Sequence, residues 1–154
     1  MSDLIFEGKY FTVERHPQPF VDRAEGGHIR IFPKDHSISE RRELNLEEAI
    51  EFMKLSSATG EALELAMNEL GIPVVKINYE DLGNWAFKRG ERPVLHLHIF
   101  GRAENSVKQK FPEAVYLPDR SSGFYDSFEP LTTEDMKLIN KHLIEILETK
   151  YKNW

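Results

Sequence analysis

His96 and His98 are the residues whose type and spacing are best suited to chemistry. They lie in Pro93-Val94-Leu95-His96-Leu97-His98-Ile99-Phe100-Gly101-Arg102, a largely apolar, β-prone run. Strand side chains alternate between faces, so both imidazoles point the same way, about 7 Å apart along the strand. Leu95, Leu97 and Ile99 then point to the opposite face, where a core can form. Two neighbouring imidazoles on a fixed strand suit two jobs. They can ligate a metal, or one can attack phosphorus while the other holds the phosphate.

Composition narrows the setting. A chain of 154 residues suits one domain with a real hydrophobic core. Hydrophobic residues make up 40% and charged residues 30%, as in ordinary water-soluble proteins. The net charge of −6 argues against general nucleic-acid or anionic-membrane binding, which needs a basic footprint. A small anion held by a local basic cluster is still compatible with it. With no cysteine, disulfides, thiol catalysis and cysteine-ligated metal sites are excluded. The first residues lack a basic-then-apolar leader, and no apolar run reaches the roughly 20 residues of a membrane span. The expectation is a cytoplasmic protein.

The elements that must position the histidines follow from local patterning. Tyr10 to Glu14 and His28 to Phe32 read as strands, joined through a turn-rich segment and pairing as a hairpin. Residues 46–70 form the clearest helix, with Asn45 as N-cap and Glu48 completing a capping box. Its expected buried stripe is Ala49, Phe52, Met53, Ser56, Gly60, Leu63, Met67 and Leu70. Pro73 to Tyr79 and Val94 to Phe100 are two more strands, around a loop over residues 80–92 that contains Gly83 and Gly90. Residues 103–131 are irregular but rich in aromatics, which a disordered linker would lack, so this stretch packs on something or closes over it as a lid. Thr132 and Asp135 cap a last helix over about residues 133–151, with Met136, Ile139, Leu143, Ile146 and Leu147 as its stripe. The order is an α+β pattern, an antiparallel sheet with one main helix packed on it and a C-terminal helical extension.

These residues resemble the histidine triad (HIT) superfamily of nucleotide-binding hydrolases and transferases. His96-Leu97-His98-Ile99-Phe100-Gly101-Arg102 matches the last two histidines and the tail of the family motif. Gly27-His28-Ile29-Arg30-Ile31-Phe32-Pro33-Lys34-Asp35-His36 resembles its upstream strand. Val75-Lys76-Ile77-Asn78 resembles the strand that ends in a phosphate-contacting amide. The match covers about residues 10–102, within a single HIT-like domain over 1–154. It departs at Val94, where the first triad histidine would stand; a two-residue shift would instead make His98 the nucleophile and Phe100 the missing member.

The resemblance implies that His96 attacks the α-phosphorus of a nucleotide derivative, without a metal or cofactor, and that water then releases a nucleoside monophosphate. Phosphoramidates, adenylylated compounds and dinucleoside polyphosphates are the implied substrates. His98, His28 and Asn78 would support the phosphate, with Gly90 and Arg92 contributing backbone N–H groups and positive charge. Glu14 would hold the ribose, and a homodimer is implied. Lys88 and Arg89 also carry charge in the 80–92 loop, although a basic loop is ordinarily just solvated. Arg30, on the second strand, is a candidate to intrude into the pocket. His16 and His142 read as surface histidines, and His36 as structural. Two other functions compete: a metal-dependent enzyme ligated by His96, His98 and a third group such as His28, and a nucleotide-binding protein without catalysis.

Overall fold

Side-chain alternation along the central strands divides one sheet into an apolar face and a histidine-bearing face. The computed structural model describes residues 2–153. Its strands are β1 (Leu4–Glu7), β2 (Phe11–Arg15), β3 (His28–Pro33), β4 (Val74–Asp81) and β5 (Leu97–Ala103), with helices α1 (Leu46–Glu69) and α2 (Thr133–Thr149). The spatial order is β1-β2-β3-β5-β4, and every neighbouring pair is antiparallel. This is the expected α+β sheet with its main helix and C-terminal helix. The short β1 carries no pattern long enough to be read from sequence.

One face of the sheet builds the main core. Val13, Ile29, Ile31, Leu97 and Ile99 point toward α1 and are buried with Phe52, Leu55, Leu63 and Met67 of that helix. Each such side chain contributes about 2 kcal/mol of burial free energy. The capping box at the start of α1 forms as expected: Glu48 N–H donates to Asn45 Oδ1, and Asn45 N–H donates to Glu48 Oε1, both at 2.9 Å. The buried stripe is rotated from the expected one. Ala49, Met53 and Leu70 are exposed, and Leu55, Ala58, Thr59, Ala62 and Ala66 take the inner face instead. Small residues there let the helix sit close to β4; a Cβ on Gly60 would strike the Tyr79 hydroxyl.

The other face is read off the register. His28 pairs with Phe100 across β3 and β5, and Arg30 pairs with His98. Glu14 on β2 lies across from Arg30, and Glu80 on β4 across from His98. The His16 backbone N–H donates to His28 O at 3.0 Å, which extends the β2–β3 pairing by one residue pair. Three rows therefore cross the sheet: His16, His28, Phe100 and Asn78; then Glu14, Arg30, His98 and Glu80; then Thr12, Phe32 and His96.

β5 begins at Leu97, later than the expected Val94. Leu95 N–H instead donates to Ile38 O in the loop before α1, so His96 sits at the mouth of the strand.

The aromatic extension covers part of this second face. Phe20, Val21, Phe100, Val115, Tyr125 and Phe128 form a separate apolar cluster. Glu25 anchors the extension by accepting the backbone N–H groups of Val107, Lys108 and Gln109. α2 carries its expected capping box between Thr132 and Asp135. Asp135 also receives both Arg23 Nε and Nη2, at 2.7 and 2.9 Å, which fixes α2 to the β2–β3 connection.

Candidate active site

A cleft of about 540 Å³ opens over the second and third rows of the sheet. His96 and His98 line it from β5 and its mouth, and Arg30 and Phe32 line it from β3. The 82–94 segment makes one wall, with Asn84 and Trp85 in its helical turn. His16, Gln18 and Phe20 close the far end, where Leu117 and Arg120 arrive from the extension.

Hydrogen bonds fix the protons on three imidazoles. His96 Nδ1 lies 2.9 Å from Val94 O. A carbonyl oxygen only accepts, so Nδ1 carries the proton and Nε2 keeps its lone pair. The Phe20 backbone N–H donates to His28 Nδ1 at 3.0 Å, so the His28 proton is on Nε2. That N–H is directed at His98 Nδ1, 2.8 Å away. His98 in turn carries its proton on Nε2. The His96 and His98 rings meet edge to face with centroids 4.7 Å apart.

Burial keeps these rings neutral. It lowers the His96 pKa, against an opposing pull from the Val94 carbonyl, and takes His98 down to about 3 with the help of His96, Arg30 and Arg120. His28 is pushed well below its ordinary value by its complete burial and by neighbouring His16 and His98. A neutral imidazole with a free Nε2 is the nucleophilic form.

The other expected site residues divide. His28 lies beneath His98 and acts on the cleft only through it. Arg92 lines the cleft, but its guanidinium is held by Ser37 O and by Glu43 at 3.2 Å. Asn78 is not among the lining residues. It stands one row away across from Phe100, and its Oδ1 accepts from Arg102 Nη1 at 2.9 Å. Glu14 shares a row with Arg30 but lies outside the cleft lining, and its carboxylate accepts from Thr12 Oγ1. Gly90 has a left-handed φ of 66° and spends its N–H on Phe87 O in closing its own turn. Lys88 and Arg89 pair with Asp119 and Glu91.

His16 corrects the reading as a surface histidine. It is 9% exposed, its Nδ1 accepts from Gln18 N–H at 3.0 Å, and its ring centre is 4.6 Å from that of His28. Burial, with Arg30 and Arg120 nearby, lowers its pKa to about 2. A signal for it existed: His16 has the same strand parity as Glu14, which places it beside His28 once β2 and β3 pair. Arg120 had no such signal, because only tertiary packing returns the extension to the cleft.

Among the described residues, no group of three or more His, Asp or Glu is placed to hold a metal ion. The ring nitrogens of His28 are both engaged, which removes it as the third ligand of a His96–His98 pair.

The HIT domain model matches residues 1–105, and the chain belongs to this histidine triad family. Solved structures share the fold. A histidine triad protein from Marinobacter aquaeolei VT8 is 22% identical, with 94% of this chain and 88% of that chain covered and a TM-score of 0.63. A hypothetical histidine triad nucleotide-binding protein from Sulfolobus tokodaii strain7 is 16% identical, with 100% and 91% covered and a TM-score of 0.59. A uridylyltransferase is 18% identical over 93% of this chain but 41% of its own, with a TM-score of 0.57. No curated protein matches.

Proposed function

We propose that this protein is a nucleotide hydrolase or nucleotidyl transferase that works through a nucleotidyl intermediate on His96 Nε2. The observation that carries the reading is the His96 Nδ1–H bond to Val94 O, which presents a neutral ring with its lone pair in the cleft. The substrates in view are nucleoside phosphoramidates, adenylylated compounds and dinucleoside polyphosphates. The names of the Sulfolobus and uridylyltransferase neighbours, a nucleotide binder and a nucleotidyl transfer enzyme, support the class.

The step follows from the proton positions. Nε2 attacks the α-phosphorus, the N–P bond forms, and the bond to the leaving group breaks with its electron pair departing on that group. His96 becomes cationic as this happens, so its Nδ1–H bond to Val94 O strengthens; charge-assisted bonds are roughly twice as strong as neutral ones. The gain appears in the transition state and not in the ground state, which is what lowers a barrier. His98 Nε2–H donates to a phosphoryl oxygen, and His28 keeps that proton in place. Water then attacks phosphorus and gives up a proton to solvent, the N–P bond breaks with its electron pair returning to Nε2, and a nucleoside monophosphate leaves.

The proposal places the protein in the cytoplasm as a homodimer. No described helix is long and apolar enough to cross a membrane. β4 is the last strand of the sheet, and its outer edge offers eight residues of backbone for pairing with a second copy. Sedimentation velocity at micromolar concentration should give the mass of two chains.

The functional test is turnover of a panel of nucleotide derivatives in EDTA. Full turnover in chelator, lost in His96→Ala, is expected. Turnover that EDTA abolishes would favour a metal enzyme, and nucleotide binding without turnover would favour a non-catalytic binder.

A further inference from the structure

Two guanidiniums line the cleft, those of Arg30 and Arg120. Arg23, Arg42, Arg89 and Arg92 each have an acidic oxygen within 4 Å. Among the described residues no such ion pair involves Arg30 or Arg120. Arg30 Nε is buried and makes no hydrogen bond, and its guanidinium lies 4.8 Å from the Phe32 ring centre. Arg120 Nη2 donates to Gln18 O at 2.7 Å, and its guanidinium rests 4.5 Å from the Phe20 ring centre and 5.3 Å from that of Tyr125. Aromatic faces thus hold both planar groups ready, which lessens the freedom lost when a guanidinium forks onto an oxyanion.

Their order along the cleft gives them different tasks. His96 stands in one row of the sheet, and Arg30 and His98 stand in the next. Beyond them come His16 and His28, with Phe20 packed 5.3 Å from His28 and 5.7 Å from His98, and Arg120 on Phe20. In phosphoryl transfer the attacking and leaving atoms are roughly in line. A phosphorus seated over Arg30 and His98 and attacked from the His96 side expels its leaving group toward Phe20 and Arg120.

We infer that Arg120, supplied by the segment beyond the family-matched residues, binds a second anionic group of the substrate, while Arg30 holds the phosphoryl group under attack. The inference rests on the His96 reading above and selects within it. The favoured substrates are nucleotides joined through a phosphoanhydride to a further phosphate, over those that release an uncharged amine. The bond that breaks is the P–O bond of the anhydride, and its electron pair leaves on an oxygen of the second phosphate. That oxyanion is the group Arg120 neutralises. The positive field is already felt inside the cleft: both arginines disfavour protonation of His16, His28 and His98. A protein of net charge −6 whose cleft is lined by two guanidiniums outside any close ion pair is built to receive an anion there.

The test is calorimetric titration in EDTA with adenosine, AMP and ADP, and with the guanosine, cytidine and uridine series alongside. The wild-type protein should bind the diphosphate at least tenfold tighter than the monophosphate of its preferred base. Arg120→Met should reduce that ratio below threefold and leave monophosphate affinity nearly unchanged; Arg120→Lys should retain part of it. Arg30→Met should weaken mono- and diphosphate alike. A wild-type ratio near one overturns the inference without any variant, and so does an Arg120→Met protein that loses both ligands equally. A monophosphate no tighter than its nucleoside would instead sink the phosphoryl reading of His96. That result is separable, because a tenfold diphosphate preference would still stand for Arg120.

Discussion

His28 Nε2 and His98 Nδ1 are 2.8 Å apart, and the Phe20 backbone N–H on the far side of the His28 ring decides which of them carries the shared proton. The connection between β2 and β3 thereby sets the tautomer of an imidazole on β5. His98 presents a donor to the cleft because a backbone amide of another segment leaves it no alternative.

Replacing His28 should separate position from chemistry. His28→Leu fills space but leaves the Phe20 N–H without its acceptor and His98 free to change tautomer. A buried amide left unpaired costs about 1–3 kcal/mol, and urea unfolding should show that loss. Turnover should fall by more than about tenfold, equivalent to about 1.4 kcal/mol in the barrier. His28→Gln, whose side chain both accepts and donates, should recover part of the rate. Equal rates in Leu and Gln variants would mean that the His28 ring nitrogens do not govern His98.

Acid should destabilise the fold well before carboxylates titrate. Folded His16 and His98 have pKa values near 2 and 3, and His28 is also depressed, against about 6.5 in an unfolded chain. Below pH 6.5 the unfolded state therefore binds more protons, and stability falls as pH falls until the folded pKa values are reached. At pH 5 His16 and His98 each cost about 2 kcal/mol, at about 1.36 kcal/mol per pH unit, and His28 acts in the same direction. Urea midpoints measured from pH 7.5 to 5 should drop continuously, and His16→Asn should flatten the drop. A flat profile over that interval would contradict the buried, neutral state of the rings.

Gly101 belongs to the site by what it permits. Its N–H donates to Gly27 O at 3.1 Å, and a Cβ on it would collide with the Gly26 carbonyl. Gly26 itself has φ of 129°, a backbone conformation that favours glycine. This close approach sets the β3–β5 pairing that brings His28 under His98. Gly101→Ala should cost about 1–3 kcal/mol in urea unfolding, as overpacked interiors do. A change below 0.5 kcal/mol, a rough limit for surface substitutions, would show that the two segments can separate freely.

What the sequence made legible was whatever strand and helix periods carry. The alternation through His96 and His98 located the two rings on one face, and the capping boxes at Asn45 and Thr132 located the starts of both helices. Register was not legible, and register decides the rest of the site. It sets Asn78 across from Phe100, where Arg102 engages its amide, and brings His16 beside His28. The rotated stripe of α1 has a similar origin, because the close approach to Tyr79 at Gly60 depends on the partner strand. Arg120 is furthest from any local signal: it reaches the cleft through Phe20 and Tyr125, about a hundred residues apart in the chain.

The most direct measurement is intact and peptide mass spectrometry after rapid acid-free quenching of the protein mixed with a nucleotide substrate. A covalent nucleoside monophosphate adduct on the peptide containing His96, formed in EDTA and absent from His96→Ala, is the expected result. Multiple turnovers with no adduct at any time point, and with His96→Ala running at the wild-type rate, would contradict it.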